Sequence, residues 1–327
     1  MTSAQSIPDV TVVIAAYNAE ATVRRAVDSA LAQIDVAVEV IVVDDCSTDG
    51  TAAICQSIAD VDPRLRVIVQ PRNAGPAAAR NTALANSRAA WLTALDSDDF
   101  MEPRRLSTLL AIAREEEADF VADDLLKQDE GDTAGARRWR LWSDAPIGRQ
   151  HLDATDFVRG NLTSRHGGRR ELGFVKPLMS RAFLTRHALT YPDLRLGEDY
   201  VLYAEALILG ARFVLTDPAG YVAVVRETSL SGAHPTEVHE EMIAQDRRLM
   251  ALPGVAPATR AALTRHVREV QKEWMWRRMI DAVRESDPVG AVRCFWAPPE
   301  VGLDLAGKLG GEALRRTRQK LTRTQHG

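Results

Sequence analysis

Asp96, Ser97, Asp98 and Asp99 follow the apolar run AAWLTAL without a break. Carboxylates gathered at the end of a buried strand repel one another and lose hydration unless something positive sits among them. A divalent cation meets that need, because Mg2+ or Mn2+ accepts carboxylate oxygens and is commonly shared with substrate phosphates. The bland reading of so short a pattern is a solvated acidic turn. Asp44 and Asp45 end the run VEVIVVDD in the same way. A carboxylate there can accept hydrogen bonds from a nucleoside base or ribose, or it can cap the next helix, and capping is the role expected of Asp49. Tyr17, just after the first apolar run, offers a flat face to a base, or else packs. Arg80 has the planar, permanently charged fork suited to clamping phosphate or carboxylate. A surface salt bridge is its plain alternative. Glu198 and Asp199 open an apolar helix after Gly197, where acids are favourable in any case through the helix dipole. The functional reading makes one of them a general base. His234 lies in a loop and is expected to face solvent. None of the histidines at 151, 166, 187, 234, 239 and 266 has the spacing of a metalloprotease helix.

These side chains need a frame, and the hydrophobic pattern supplies one. VTVVIAA from Val10, VEVIVVDD from Val38, RLRVIVQP from Arg64, AAWLTAL and DFVADDLL from Asp119 read as buried strands. Between them, Val23, Ala26, Val27, Ala30 and Leu31 mark one helix face, Ile54 and Ile58 a second helix, Pro76–Ser87 a third and Leu106–Glu117 a fourth. Strict alternation of strand and helix implies a parallel sheet with crossovers on its faces. Ligands in such sheets bind at the carboxyl ends of the strands, where Tyr17, Asp44-Asp45 and the 96–99 cluster all fall. Residues 131–170 loosen into Gly- and Arg-containing stretches and are expected to be flexible loop. FVKPLMSRAFL, the helix LGEDYVLYAEALILG and the strand ARFVLTD restore order, and the chain reads as helical beyond about 235. Val267, Val270 and Trp274 define one face there. The expected division is a domain at 1–234 and a helical region at 235–327 with a basic tail.

Composition sets outer limits. The 327 residues are 46% hydrophobic and 26% charged, which excludes a wholly disordered chain. A net charge of -4 argues against a nucleic-acid partner. The 36 Arg against 5 Lys point to genome base composition rather than to function. Cys46, Cys55 and Cys294 are too few and too scattered for a disulfide framework or a zinc site, and they favour a reducing compartment. Neither a signal peptide nor a membrane-spanning stretch is visible, so a cytoplasmic location is expected.

In their order along the chain, VTVVIAAYNAE, VIVVDDCSTDGT, NAGPAAARNTAL, WLTALDSDDFMEP and FVKPLMSRAFL…LRLGEDYVLYAEALILGARFVLTDPAGYVAVVRETSLSG resemble glycosyltransferase family 2, the inverting nucleotide-sugar enzymes of GT-A fold. They cover most of residues 9–232. The resemblance implies an α/β GT-A fold and a bacterial, non-processive polysaccharide-type enzyme, since no QxxRW-like motif follows Asp199. It implies that Ala15, Tyr17 and Asp45 line the base pocket and that Arg80 lies near the base and the acidic cluster. Asp96 and Ser97 would sit toward the ribose or sugar, and Asp98 would hold Mn2+ or Mg2+. Asp199 would be the catalytic base. Asp44, Asp99, Glu198 and His234 are carried as site residues of secondary standing. Thr82-Ala83 departs from the family's usual Xaa-Gly.

The chemistry implied is transfer of a sugar from a nucleotide-diphosphate donor to a hydroxyl of a saccharide or lipid-linked acceptor, in cell-surface or exopolysaccharide synthesis. A receiver-type signalling domain also opens with an acidic pair, but it needs a lone Asp two strands later and a Lys after the fifth strand. A nucleotidyltransferase would carry a Gly- and Arg/Lys-rich loop where AAYNAEATV stands. A catalytically dead binding protein would not need Asp98 and Asp199. The stretch from Lys308 holds six Lys or Arg against one Glu and is expected either to be a solvated tail or to touch an anionic membrane.

Overall fold

β-Branched density makes the strands β1 (Val10–Ala16), β2 (Val38–Asp44) and β3 (Leu65–Val69). The computed structural model describes residues 7–132, 137–163, 171–226 and 236–324, with side chains through Arg315 apart from Ala313. It pairs β1 with β2 and β2 with β3 in parallel, and sets β4 (Trp91–Ala94) parallel on the other side of β1. β1 and β2 are covered on both faces, which explains their nearly unbroken apolar character, whereas β3 at the sheet edge leaves Arg66 and Val69 exposed. Val12, Ile14, Val40 and Val42 face one layer with α1 (Val23–Leu31), α2 (Thr51–Ala59) and α4 (Arg105–Glu115). Val13, Ile41 and Val43 face the other, against Ala79 and Ala83 of α3 (Pro76–Asn86). The methyl side chains of α3 let that helix lie close on the sheet. Helix α2 starts after Gly50, yet Asp49 still serves it, accepting from the Thr51 N–H at 3.0 Å and the Thr51 hydroxyl at 2.5 Å.

The sheet has eight strands in the order β3-β2-β1-β4-β10-β6-β11-β9. Strand β10 (Leu178–Ser180) runs antiparallel to both β4 and β6 (Phe120–Asp123), and β11 (Phe213–Thr216) is parallel to β6. Strand β9 (Gln150–Leu152) closes the edge antiparallel to β11. The run DFVADDLL, expected as one strand, is two. It leaves the large sheet after Asp123 and re-forms as β7 (Leu126–Asp129) in a second sheet of order β5-β12-β7-β8. That sheet also contains β5 (Phe100–Met101), β8 (Arg138–Arg140) and β12 (Tyr221–Val225). Buried carboxylates anchor the bend: Asp123 accepts from the N–H groups of residues 219–221, and Asp124 from those of Leu141 and Trp142.

The expectation of flexible loop over 131–170 is therefore corrected. Its described residues supply β8 and β9 to the two sheets, followed by α5 (Ala154–Gly160), whose first turn is capped by Asp153. Sequence patterning missed the strands because each is only three residues long. A 3-10 turn (Leu172–Phe174), α6 (Arg181–Arg186) and α7 (Glu198–Ile208) complete this first unit.

The chain divides into two units near residue 232. The second is helical, with α8 (Thr236–Ala251), α9 (Pro257–Arg284), α10 (Pro288–Arg293), a 3-10 turn (Cys294–Trp296) and α11 (Pro299–Thr324). Leu263, Val267, Gln271, Met275 and Met279 form the buried stripe of α9, with Trp274 at its flank rather than its centre. A buried contact of 2.7 Å joins His266 Nδ1 to Asp246 and ties α9 to α8.

Candidate active site

Because β1, β2 and β4 are parallel neighbours, their carboxyl ends deliver Tyr17, Asp44-Asp45 and Asp96–Asp99 to one edge. Tyr17 is 51% exposed, so its ring is available to a ligand rather than packed. Ala15 is half-buried on β1, level with Val43 of β2. Asn18 ties the two strand ends together, its side-chain oxygen accepting from the Thr48 N–H at 2.9 Å. Asp45 is buried, and its two carboxylate oxygens accept from the N–H groups of Ala74 and Gly75 at 2.9 and 2.8 Å. It thus holds the loop that starts α3, where Gly75 at φ 90° turns the chain in a conformation costly to other residues. Asp44 accepts from Ser47 N–H at 3.0 Å, and its other oxygen is buried with no hydrogen-bond partner among the described residues.

One turn into α3, Arg80 is buried in the middle of a charge cluster. It donates to Asp96 at 2.9 Å, to Asp199 at 3.4 Å and, closer still, to Glu198, while its guanidinium lies 5.4 Å from the centre of the Tyr191 ring. Lys176, also buried, bonds Asp199 at 2.6 Å and Asp96 at 3.2 Å. The Tyr203 hydroxyl adds a 3.3 Å bond to Asp199. Glu198 and Asp199 occupy the first turn of α7 behind Gly197, as the helix dipole favours. Burial alone would strip the charge from Lys176, but Asp199 and Asp96 hold its ammonium well above the ordinary range. The reverse holds at Asp96: burial opposes ionisation, and Lys176 and Arg80 outweigh it, so the carboxyl lies low. Glu198 is pushed up by burial and by Asp199, with Arg80 opposing.

The rest of the acidic cluster is less fully compensated. Asp98 is pushed up by burial and then by Asp96, against the weaker pull of Arg226 and Arg25. Asp99 rises to about 8 through burial and the charges of Asp96 and Asp98, although Val224 N–H and the Tyr221 hydroxyl bond it at 2.8 Å each. Ser97, half-buried, lies between them. Among the described residues no three His, Cys, Asp or Glu side chains are gathered as metal ligands. A divalent cation would therefore take one or two carboxylates here and complete its shell with phosphate oxygens and water, the habit of Mg2+ and Mn2+ at nucleotide sites. The crowded carboxylates, hard oxygen donors with charge to spare, fit such an ion. His234 lies outside the described residues.

Sequence reasoning missed Lys176, Tyr191 and Tyr203. The signal for Lys176 was present, since a lysine inside the apolar run FVKPLM is seldom buried unless paired. The tyrosines carried none, because each is placed only by the packing of α7 and the segment before it.

The family model for glycosyl transferase family 2 matches residues 11–172. The chain is 43% identical over 274 residues to the succinoglycan biosynthesis protein ExoU of Rhizobium meliloti strain 1021, covering 84% of this chain and 78% of that protein. It is 36% identical over 298 residues to the succinoglycan biosynthesis protein ExoO of the same strain, with 90% and 82% covered. Among solved structures, TarS 1-349 of S. aureus in complex with UDP-GlcNAc superposes with a TM-score of 0.62 at 19% identity, over 86% of this chain and 89% of that one. The mannosyltransferase PcManGT of Pyrobaculum calidifontis, in complex with GDP-Man and Mn2+, gives 0.56 at 17% identity over 97% and 84%. The likeness to these two structures is one of fold.

Proposed function

The chain belongs to glycosyltransferase family 2, and from that premise we propose that it carries out a cation-assisted, inverting sugar transfer. The donor is a nucleotide-diphosphate sugar and the acceptor a hydroxyl of a saccharide or lipid-linked saccharide, in the building of an exopolysaccharide. The observation that carries this reading is the gathering of Asp96, from the end of β4, with Glu198 and Asp199, from the start of α7, around Arg80 and Lys176. Residues as much as 119 positions apart meet in one cluster at the ligand edge of the sheet. Likeness to proteins of succinoglycan biosynthesis supports the polysaccharide setting.

Each residue then has a task. Tyr17 stacks on the base, and Asp45 braces the Ala74-Gly75 loop beside it. Asp98, with Asp96 at hand, would hold the cation, which when bound supplies Lewis-acid stabilisation of charge on the departing diphosphate. Asp199 takes the proton of the acceptor hydroxyl as that oxygen attacks the anomeric carbon and the bond to the diphosphate breaks. A single displacement inverts the centre, so an α-linked donor yields a β-glycoside. Lys176 and Tyr203 fix the Asp199 carboxylate, and a fixed acceptor of this kind costs no reorganisation during the reaction.

Thermal unfolding with a panel of nucleotide sugars, with and without Mn2+, tests the reading, because a ligand of the native state raises the midpoint. The expected result is a rise for one nucleotide class that is larger with Mn2+ and loses its metal-dependent part in Asp98→Ala. Absence of any rise across the panel would contradict it.

A further inference from the structure

The second unit carries a surface that sugar transfer does not explain. Val289 and Val292 of α10 and Trp296 of the following turn fall at i, i+3 and i+7, and all three face solvent, Trp296 to 81%. With Pro288 and Arg293 they line an open hollow of about 400 Å3. Phe295 is exposed beside them. Helix α11 begins against this turn, its Gly302 lying under the Phe295 carbonyl. The inner residues of that helix, Val301 and Leu305, are buried with Met275, Met279 and Cys294, yet Leu303 between them is 74% exposed and Leu314 is exposed further on. A soluble monomer seldom leaves a run of valine, phenylalanine, tryptophan and leucine bare without a partner for it.

Charge says which partner. Lys308 is paired with Glu273 and Asp304 and Arg315 with Glu312, but the sequence of the helix beyond them adds Arg316, Arg318, Lys320 and Arg323 with no further acid, and Arg293 lines the hollow itself. An exposed tryptophan with aliphatic neighbours, followed by a cationic stretch, matches an anionic bilayer surface. Indole and aliphatic groups settle at the boundary of headgroups and chains, while Lys and Arg meet lipid phosphates. A second copy of the chain fits less well, because it would bring the same basic run to the contact. Among the described residues no helix is long and apolar enough to cross a membrane, so the contact is peripheral.

We propose that the Val289–Trp296 knob, backed by the basic run of α11, is an interfacial anchor that docks this protein on anionic phospholipid. The anchor stands apart from the reading of the crevice, since it needs neither donor nor acceptor.

The test is sedimentation of the full chain with vesicles of phosphatidylcholine, pure or containing about one-third phosphatidylglycerol. Binding is expected to the anionic vesicles and to weaken as NaCl rises from about 0.1 to about 0.5 M. The double variant Val292→Ser/Trp296→Ser should bind at least about tenfold more weakly with an unchanged melting midpoint, both side chains being exposed. Lipids brominated along the chain should quench tryptophan fluorescence in the unsubstituted protein and much less in Trp296→Phe. Equal binding by the double variant, or no binding to anionic vesicles, would overturn the proposal. So would a dimer in light scattering that the double variant dissociates, which would assign the surface to a second copy.

Discussion

Arg105 with Asp123, and Arg80 with Asp96, Glu198 and Asp199, are both buried arginine–carboxylate clusters in the first unit, and they differ in how their hydrogen bonds close. Arg105 donates twice to one oxygen of Asp123, at 3.0 and 2.8 Å, and once to the Lys176 carbonyl at 2.5 Å. The other Asp123 oxygen takes the N–H groups of Ala219, Gly220 and Tyr221 at 3.0–3.2 Å. Both side chains are wholly inaccessible, and the Tyr221 ring lies 5.0 Å from the Arg105 guanidinium. One acid meets one base there, and the pair ties the Lys176 carbonyl to the N–H groups of residues 219–221. Around Arg80, three acids share two cations at the ends of the strands, and Asp96 remains partly open. The closed cluster builds the wall; the unbalanced one has charge left for a ligand. Lys176 belongs to both, its carbonyl to the first and its ammonium to the second.

The comparison predicts opposite phenotypes. The largest effect should come from Asp123→Ala, which leaves Arg105 buried without its partner. Unfolding in urea should show a loss of about 3–5 kcal/mol, with transfer per folded molecule largely kept. A variant that folds normally yet loses turnover would erase the distinction.

Next is Lys176→Met, which keeps the bulk of the side chain but removes the ammonium that bonds Asp199 and holds the Asp96 carboxyl low. Transfer is expected to fall by about tenfold, and the acid limb of its pH–rate profile to move upward as the Asp96 carboxyl is released from the cation that keeps it low. Stability should change less than in Asp123→Ala.

The smallest effect separates neighbours within the wall. Asp124 accepts from Leu141 and Trp142 N–H through one oxygen only, the other being buried without a partner among the described residues, and burial raises its pKa to about 6. A carboxyl whose folded pKa exceeds its unfolded value favours the fold while protonated and loses that advantage as it ionises. The benefit should be full below the ordinary value of 3.8 and gone as pH rises through about 6. Asp124→Asn should therefore match the unsubstituted protein in melting midpoint near pH 4 and exceed it by a few degrees near pH 8. Parallel melting curves across that range would show that Asp124 is satisfied after all.

Much of this was legible in the sequence, for particular reasons. Apolar runs ending in polar residues, Tyr17-Asn18 after β1 and carboxylates after β2 and β4, located these strands together with their ligand edge, since a parallel strand buried on both faces leaves an unbroken signature. The i, i+3, i+4 pattern of Val23–Ala30 is the face that α1 buries. Asp96, Arg80, Glu198 and Asp199 were each nameable, and the resemblance implied that Arg80 lies near the 96–99 cluster; its bonds to Glu198 and Asp199 were not legible, because they depend on how α3 and α7 pack at the sheet edge. Strands β8 and β9 escaped, being too short for periodicity. Arg105 and Asp123 escaped as well: an arginine at a helix start and an aspartate at a strand end look solvated until the fold closes over them.

The most direct test of the account is the rate of sugar transfer by Asp199→Asn at saturating donor, with donor affinity and melting midpoint taken on the same preparation. The account predicts transfer lower by about 10²–10⁴-fold, as removal of a general base entails, with donor affinity within about twofold and no loss of stability. Transfer at a near-normal rate by a variant that binds donor normally would contradict it.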